Sequence, residues 1–528
     1  MSNNNKIFWI SVLIITTSLQ GCNKSEENPP TLPPIQPDVL TIRLQPSRSF
    51  QTINNFGASD AWSTQFVGDN WPEASKVKMA ELLFSMDIGA TGDPVGIGLS
   101  AWRFNIGAGS TAQGELSEIN DEWRRAPSFI DENEMYDWTR QKGQLWFLEK
   151  AKSFGVERFV GFVNSPPVVY TTNGKAWSDF GFGANIEAAN YGKYADYLVE
   201  IVKNIRINTG ITFDYISPFN EPQWEWKCCG QEGSPWNNDE IADMTKVLAE
   251  RFDTEGIASK IEITEAGQID FLYFNSRDPN RSDQIKNFYS PSSTNYLGDL
   301  SSVAHKIVGH SYYTTWDLNL LVSSREKLIS EIGLVDPTLD YWMTEYTLLE
   351  DNEEVSGNGR DLGIDPALYM ARVIHADLTI ANAAAWQWWL AISPYDYKDG
   401  LIYIDHNKNG GNYYESKMLW ALGQYSRFVR PGMERIHTTR SDNVNSKENV
   451  SGLLESAFQS ESQVVVVLVN QEIEEKHVTF SGLDESYDSL TVYMTTGEEG
   501  VNLKISQEIA IQDTVIVPKR ALVTCVME

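Results

Sequence analysis

"DYISPFNEP" (214–222) begins as a strand and stops as a loop. Tyr215 and Ile216 favour extended backbone, and Pro218 and Pro222 cannot continue a central strand. Asn220 and Glu221 stand side by side at the stop, and "QWEW" (223–226) adds two indoles just beyond. A buried strand that ends on an amide and an acid fits a parallel barrel, where functional groups gather at the C-terminal ends of the strands.

If so, similar runs should recur along the chain. They do, as "NNFGASDAW" (54–62), "SAWRFNIGAG" (100–109), "RFVGFVNSPP" (158–167), "IEITEAG" (261–267), "IVGHSYY" (307–313), "YWMTEYT" (341–347) and "AAAWQWWLA" (383–391). Amphipathic stretches such as "GQLWFLEKAKSFG" (143–155) and "NYGKYADYLVEIVKNIRINTG" (190–210) lie between them. Eight strands alternating with helices predict an α/β fold, a (β/α)8 TIM barrel with insertions, over residues 54–430.

After Pro431 the pattern changes. "SQVVVVLVNQ", "KHVTFSG", "LTVYMTTG", "ISQEIAIQ" and "TVIVPKRALVTCVME" read as strands separated by turn residues. They predict a small antiparallel β-domain over residues 431–528. "VLTIRLQ" (39–45) precedes the first barrel strand and has no partner there. Residues 39–53 are therefore expected to join that domain, making it a side β-domain built from both chain ends.

Composition narrows the class. Hydrophobic residues make up 41% of the 528, which fits a globular protein. Lys+Arg 42 against Asp+Glu 72 gives a net charge of −30, which disfavours nucleic acid as a partner. The 17 Trp and 22 Tyr exceed what a core alone needs, and flat rings also cover the apolar faces of sugars. The six His are scattered, and no CxxC or HExxH spacing occurs, so neither a metal nor another cofactor is expected.

At the N-terminus, Lys6 precedes "IFWISVLII", which is too short for a typical transmembrane helix and fits a signal-peptide core. Leu19-Gln20-Gly21-Cys22 resembles a bacterial lipobox. That resemblance implies a lipoprotein signal peptide at 1–21, lipidation of Cys22, and a membrane anchor on a bacterial outer membrane or cell surface. Residues 22–38, polar and then proline-rich, read as a tether. The other cysteines are Cys228, Cys229 and Cys525, which is no disulfide framework. Adjacent cysteines have Cα atoms about 3.8 Å apart, below the usual disulfide range.

The strand ends carry the chemistry. In chain order they offer Asp60 and Trp62, Arg103 and Asn105, Asn164, then Asn220 and Glu221, Glu265, His310 with Tyr312 and Tyr313, Glu345, and Trp386, Trp388 and Trp389. Two glutamates at strand ends four and seven are what a retaining glycosidase needs: one protonates the leaving oxygen, the other attacks the anomeric carbon. In this reading Asn220 bonds the sugar 2-hydroxyl, Arg103 aims the nucleophile, and Tyr312 or Tyr346 adds a hydrogen bond to it. Trp224, Trp226 and Trp177 sit in or beside loops and read as sugar platforms. One of Trp386 and Trp388 is expected to face the cleft, with Trp389 toward the helices. Asp60, Trp62 and Asn164 are candidate substrate contacts. His310 is another, although a core histidine is the alternative. Glu265 reads as a supporting or a plain surface carboxylate as readily as a catalytic one; Glu225 and Glu232 read as solvated loop charges, with contact to sugar hydroxyls as the alternative.

"SPFNEP" (217–222), "WMTEY" (342–346), "RFNIGAG" (103–109), "NSPP" (164–167) and "GHSYY" (309–313) resemble glycoside hydrolase family 30, of the clan of retaining (β/α)8 glycosidases. The resemblance spans about residues 40–528 and implies Glu221 as acid/base and Glu345 as nucleophile. "NSPPVVYTTNG" and "NEPQWEW…QEG" are most similar to its endo-β-1,6-galactanase branch. Val168-Val169 and Ser234 depart from that branch, which bears on the linkage rather than the reaction. The expected substrate is thus β-1,6-linked galactan. Another β-glycan (β-1,6-glucan, xylan or glucuronoxylan), exo action as a β-xylosidase or fucosidase, and a non-catalytic glycan-binding lipoprotein are the alternatives.

Overall fold

The computed structural model describes residues 38–528, apart from 275–277, 446, 448, 485 and 486. The expected signal peptide, Cys22 and the tether up to residue 37 lie outside the described residues. Among the described residues, no helix is long and apolar enough to cross a membrane.

Every expected barrel run contains a strand. In order they are β2 (Asn55–Ser59), β3 (Ala101–Asn105), β4 (Arg158–Phe162), β5 (Tyr215–Ser217), β6 (Lys260–Ile261) with β7 (Thr264–Ala266), β8 (Lys306–Gly309), β9 (Asp340–Met343) and β10 (Ala385–Ser393). Neighbours pair in parallel, and β10 returns to β2. The fifth strand is split: β6 pairs with β5 and β7 with β8, so its two halves close the ring. At the split, the Glu262 amide still donates to Ile216 O. The Glu262 carboxylate meets the buried Lys306 Nζ at 2.7 Å, and Lys306 stands over the rings of Trp342 and Tyr215.

The helices form for local reasons. Tyr191–Thr209 places Tyr194, Leu198, Ile201, Val202 and Ile205 on one buried face and ends at Gly210, whose φ of +68° suits glycine. Asn238–Glu255 opens with a reciprocal Asn237/Glu240 capping box and closes at Gly256, again left-handed.

The side domain is a sheet of nine strands among the described residues. A hairpin, β11 (Gly400–Ile404) and β12 (Tyr413–Glu415), first extends the barrel wall from β10. The sheet then takes β13 (Glu434–Arg440), β14 (Leu453–Gln459), β15 (Val464–Asn470), β16 (Lys476–Ser481), β17 (Ser489–Thr495), β18 (Lys504–Ala510), β19 (Val515–Val517) and β20 (Ala521–Met527). The N-terminal strand β1 (Val39–Thr52) lies inside it, antiparallel to β13 and parallel to β16. Both chain ends do build the sheet. The parallel β1–β16 contact is possible because β1 arrives from the far end of the chain and is free of hairpin geometry. β13 and β14 were not among the expected strands, and the final expected run divides into β19 and β20.

β15 shows how the domain is held. All seven of its residues are buried, since both faces are covered. Val464, Val466 and Leu468 fill the domain's own core, while Val465, Val467 and Val469 join the large core of the barrel and its helices. Thr524 donates to Gln424 O at 2.8 Å, and Gln424 Nε2 to Thr495 Oγ1 at 2.9 Å, tying sheet to helix.

Candidate active site

Glu221 follows β5, with its backbone held at both the amide and the carbonyl. Its amide donates to Glu265 O at 2.8 Å, its carbonyl accepts from Trp226 Nε1 at 2.9 Å, and its φ is +44°, in the left-handed region. The Trp226 indole in turn lies flat on Gly233, where a Cβ would come within 2.3 Å of the ring. The loop after the acid therefore positions the acid itself.

Five charged side chains from five barrel positions meet here. Arg103 (β3) donates from Nη1 to Glu345 Oε2 at 3.0 Å and from Nη2 to Glu265 Oε1 at 3.1 Å. His310 (after β8) sends Nδ1 to Glu221 Oε1 and Nε2 to Glu265 Oε2, each at 2.9 Å. Tyr312 donates to Glu345 Oε1 at 3.2 Å, whereas Tyr346 donates to Glu350 instead. Ser217 and Thr344 also donate to Glu265. Glu221, His310 and Glu345 bring one oxygen or ring nitrogen each within 4.8 Å of one another. Each ring nitrogen of His310 faces a carboxylate oxygen, and both donate when the ring is protonated.

The electrostatics separate the carboxyls. Burial pushes Glu221 up to about 6; the hydrogen bond and charge of His310 pull against that, and Glu345 and Glu265 add to it. Glu265 is also fully buried, but Arg103 and His310 outweigh the burial and hold it well below the usual range. Burial alone would lower His310; the charge of Glu345 and bonds to Glu221 and Glu265 reverse this and raise it to about 10. Two cations thus face three carboxyls, and charge balances when Glu221 carries a proton.

A cleft of about 210 Å³ opens over this cluster. Glu221, Glu345, Asn220, Trp62, Tyr312, Trp224 and Trp226 line it, as do Tyr313, Trp389, Tyr395 and Asp399. Asn220 Oδ1 is buried without a protein partner among the described residues, which leaves it free for a ligand hydroxyl. Trp62 and Trp389 meet edge to face at 5.3 Å.

Several expectations need correction. Trp386 and Trp388 are fully buried on the helix side; their indoles donate to Asp377 Oδ2 and Asp399 O. Trp389 faces the cleft, so the alternation holds with the opposite phase, and a pairing irregularity between Trp388 and Leu390 follows. Asp60 is buried, with Oδ1 accepting from the Asn105 amide at 2.7 Å and Gln144 Nε2 at 3.1 Å. It ties β2 to β3, and burial raises it to about 8. Asn164 is 2% exposed and does not line the cleft. Arg103 is wholly buried and reaches Glu345, as an aiming residue would, rather than the substrate; His310 is wholly buried and touches carboxylates rather than open space. Trp177 is 8% exposed and donates to Ser117 O, so it is a packing residue. Glu232 is also buried, clamping the amides of Ala108 and Ser110. Glu225 is exposed and paired with Lys227, as a solvated charge would be. Cys228 and Cys229 are joined to each other in a disulfide.

Tyr395 and Asp399 were missed because they follow β10 in "SPYDYKDG" (393–400), past the last strand end considered. The aromatic and acidic character of that loop was the available signal.

Residues 39–403 match the family model described as O-Glycosyl hydrolase family 30. An endo-beta-1,6-galactanase of Hypocrea rufa is 23% identical over 417 residues, covering 75% of this chain and 76% of that one. Glucuronoxylanase XynC of Bacillus subtilis (strain 168) is 24% identical over 327 residues, covering 60% and 62%. The crystal structure of a conserved exported protein from Bacteroides fragilis superposes with a TM-score of 0.87 at 31% identity, covering 92% of this chain and 100% of the other. The chain is a glycoside hydrolase and belongs to O-glycosyl hydrolase family 30.

Proposed function

We propose that the protein is a retaining endo-glycosidase that cuts β-1,6-linked galactan by double displacement at Glu221 and Glu345. The observation that carries the reaction is the spacing: an oxygen of Glu221 and one of Glu345 lie within 4.8 Å of each other at the floor of an aromatic cleft. Retaining enzymes hold their carboxyls about 5–5.5 Å apart, whereas inverting ones need roughly 6.5–9.5 Å for an intervening water.

The Glu345 carboxylate attacks the anomeric carbon. Glu221 gives its proton to the glycosidic oxygen as that bond breaks, and a glycosyl ester on Glu345 results. Glu221, now ionised, takes a proton from water as the water attacks the same carbon, and Glu345 leaves. Arg103 and Tyr312 hold the two oxygens of Glu345. His310 occupies Glu221 Oε1 and leaves Oε2 to carry the proton. Glu265 takes no part in bond making; it keeps Arg103 and His310 charged and in place. Asn220 bonds the 2-hydroxyl of the sugar being cleaved, and Trp62, Trp224, Trp226 and Trp389 stack on its neighbours.

The galactan assignment rests on the likeness to the fungal galactanase. The likeness to the glucuronoxylanase favours a second reading, the same mechanism on glucuronoxylan. An exported protein anchored through lipidated Cys22 fits the likeness to an exported protein; Cys22→Ser should release it from membranes.

The test is to incubate the protein with β-1,6-galactan, β-1,6-glucan, arabinogalactan and glucuronoxylan and to size the products, with Glu345→Gln alongside. Short β-1,6-galacto-oligosaccharides that vanish in the variant support the proposal. Cleavage of another polymer alone moves the substrate and keeps the mechanism. Binding without cleavage overturns catalysis in favour of a glycan-binding protein.

A further inference from the structure

The chain carries a net charge of −30, yet one hollow in the side β-domain gathers Arg48, Arg435, Arg440 and Lys447 on its wall, with Glu455 as its carboxylate. It measures about 410 Å³ and lies among Arg48 and Phe50 of β1, Arg435 and His437 of β13, and Lys447 beyond it. Arg435 is only 4% exposed, and its guanidinium donates to two neutral amide oxygens, Gln51 Oε1 at 3.0 Å and Asn382 Oδ1 at 2.6 Å. Its Cζ stands 3.8 Å from the centroid of the Phe50 ring. Lys447 Nζ and Arg48 Cζ lie 5.4 and 5.9 Å from the same centroid. The His437 ring stacks on Phe50 at 6.1 Å, with its Nδ1 buried and unpartnered among the described residues.

Such a group is costly as it stands. Among the described residues no carboxylate forms an ion pair with Arg48, Arg435 or Lys447. Arg440 on the same wall, by contrast, is paired with Asp442 at 2.7 Å and Glu455 at 3.3 Å. One phenyl face offsets only part of the cost of crowding three like charges, of which Arg435 is buried, Lys447 half-buried and Arg48 exposed. Burial lowers Arg435 to about 9. Burial, with Arg435 and Arg48 close by, lowers Lys447 to about 8. An anion seated among them would relieve both the burial and the mutual repulsion. Thr438, Thr439 and Ser456 add hydroxyls to the wall.

We propose that this hollow is a second binding site, remote from the catalytic cluster in sequence, for an oxyanion carried on a hydroxylated ligand, with the carboxylate of a uronic acid as the type. Arg48, Lys447 and Arg435 take the oxyanion, and the hydroxyl-bearing wall takes the sugar. The proposal does not depend on which polymer the barrel cleaves.

Titration calorimetry of the whole protein with D-glucuronate, inorganic phosphate and D-glucose tests it. The exposed Arg48 and half-buried Lys447 can be changed together, as Arg48→Gln/Lys447→Gln, without disturbing the bonds of Arg435. Glucuronate is expected to bind and glucose not, and the double variant to weaken glucuronate at least tenfold. Arg435→Gln, if folded by circular dichroism, should abolish it. The proposal is overturned if neither anion binds better than glucose, or if the double variant binds glucuronate unchanged. Phosphate binding without glucuronate binding would overturn the saccharide assignment.

Discussion

His310→Gln should move the alkaline limb of the pH–rate profile upward. The imidazolium donates one charged hydrogen bond to Glu221, and its charge also favours the ionised form of that acid. A hydrogen bond to a charged group contributes about 1.5–3 kcal/mol, and one pKa unit corresponds to about 1.36 kcal/mol. Losing the bond and the charge should therefore raise Glu221 by roughly one to two units from about 6. Glu221 acts as an acid, so kcat/KM falls as pH rises through its pKa. The wild-type limb should lie near 6, and the variant limb roughly at 7–8. The assay is kcat/KM from about pH 4 to 9 on whichever polymer is cleaved, at a temperature where the variant stays folded. Its maximal rate should fall as well, because a glutamine cannot hold both Glu221 and Glu265. A limb that stays in place, or moves to lower pH, would refute the claim that His310 tunes this proton.

The two tryptophan environments predict opposite phenotypes. Trp389→Ala should raise KM about tenfold with little change in stability, from the loss of one stacking surface. Trp386→Ala should cost about 3–5 kcal/mol of stability, read by denaturant unfolding, because the ring is fully buried and bonded to Asp377. Gly233→Ala should displace the Trp226 indole and with it the Glu221 backbone, lowering kcat by up to about 100-fold while the circular dichroism stays native. Lys306→Met strands the buried Glu262 charge and should cost about 3–5 kcal/mol. Adding Glu262→Gln should restore most of that in thermal melts.

The barrel was legible because each βα unit announces itself. A short apolar run ending on polar residues, as in "DYISPFNEP", is readable without knowing its neighbours. The same rule led to Glu221, Glu345 and Arg103, which the fold brings together from β5, β9 and β3. It misled where a polar strand end is spent on structure. Asp60 looks like an open carboxyl group in sequence, but the Asn105 amide and Gln144 take its Oδ1; Asn164 is enclosed with its amide unpartnered among the described residues. The phase of "AWQWW" was undecidable from period alone, since alternation names two faces without saying which is inward. β14 escaped notice because Glu455 interrupts "LLESAFQ"; only the fold brings Arg440 of β13 to pair with it. The His310 network was hidden for a related reason. Its partners lie 89 and 45 residues away, so neither its charge nor its bridging role can be seen locally.

The central claim is a double displacement through Glu221 and Glu345. Its most direct test is proton NMR of the first products from the cleaved polymer, recorded before mutarotation. The account predicts that the new reducing end appears first as the β-anomer, with configuration retained. Initial appearance of the α-anomer would mean inversion, and would contradict the assignment of Glu345 as a nucleophile in contact with the sugar.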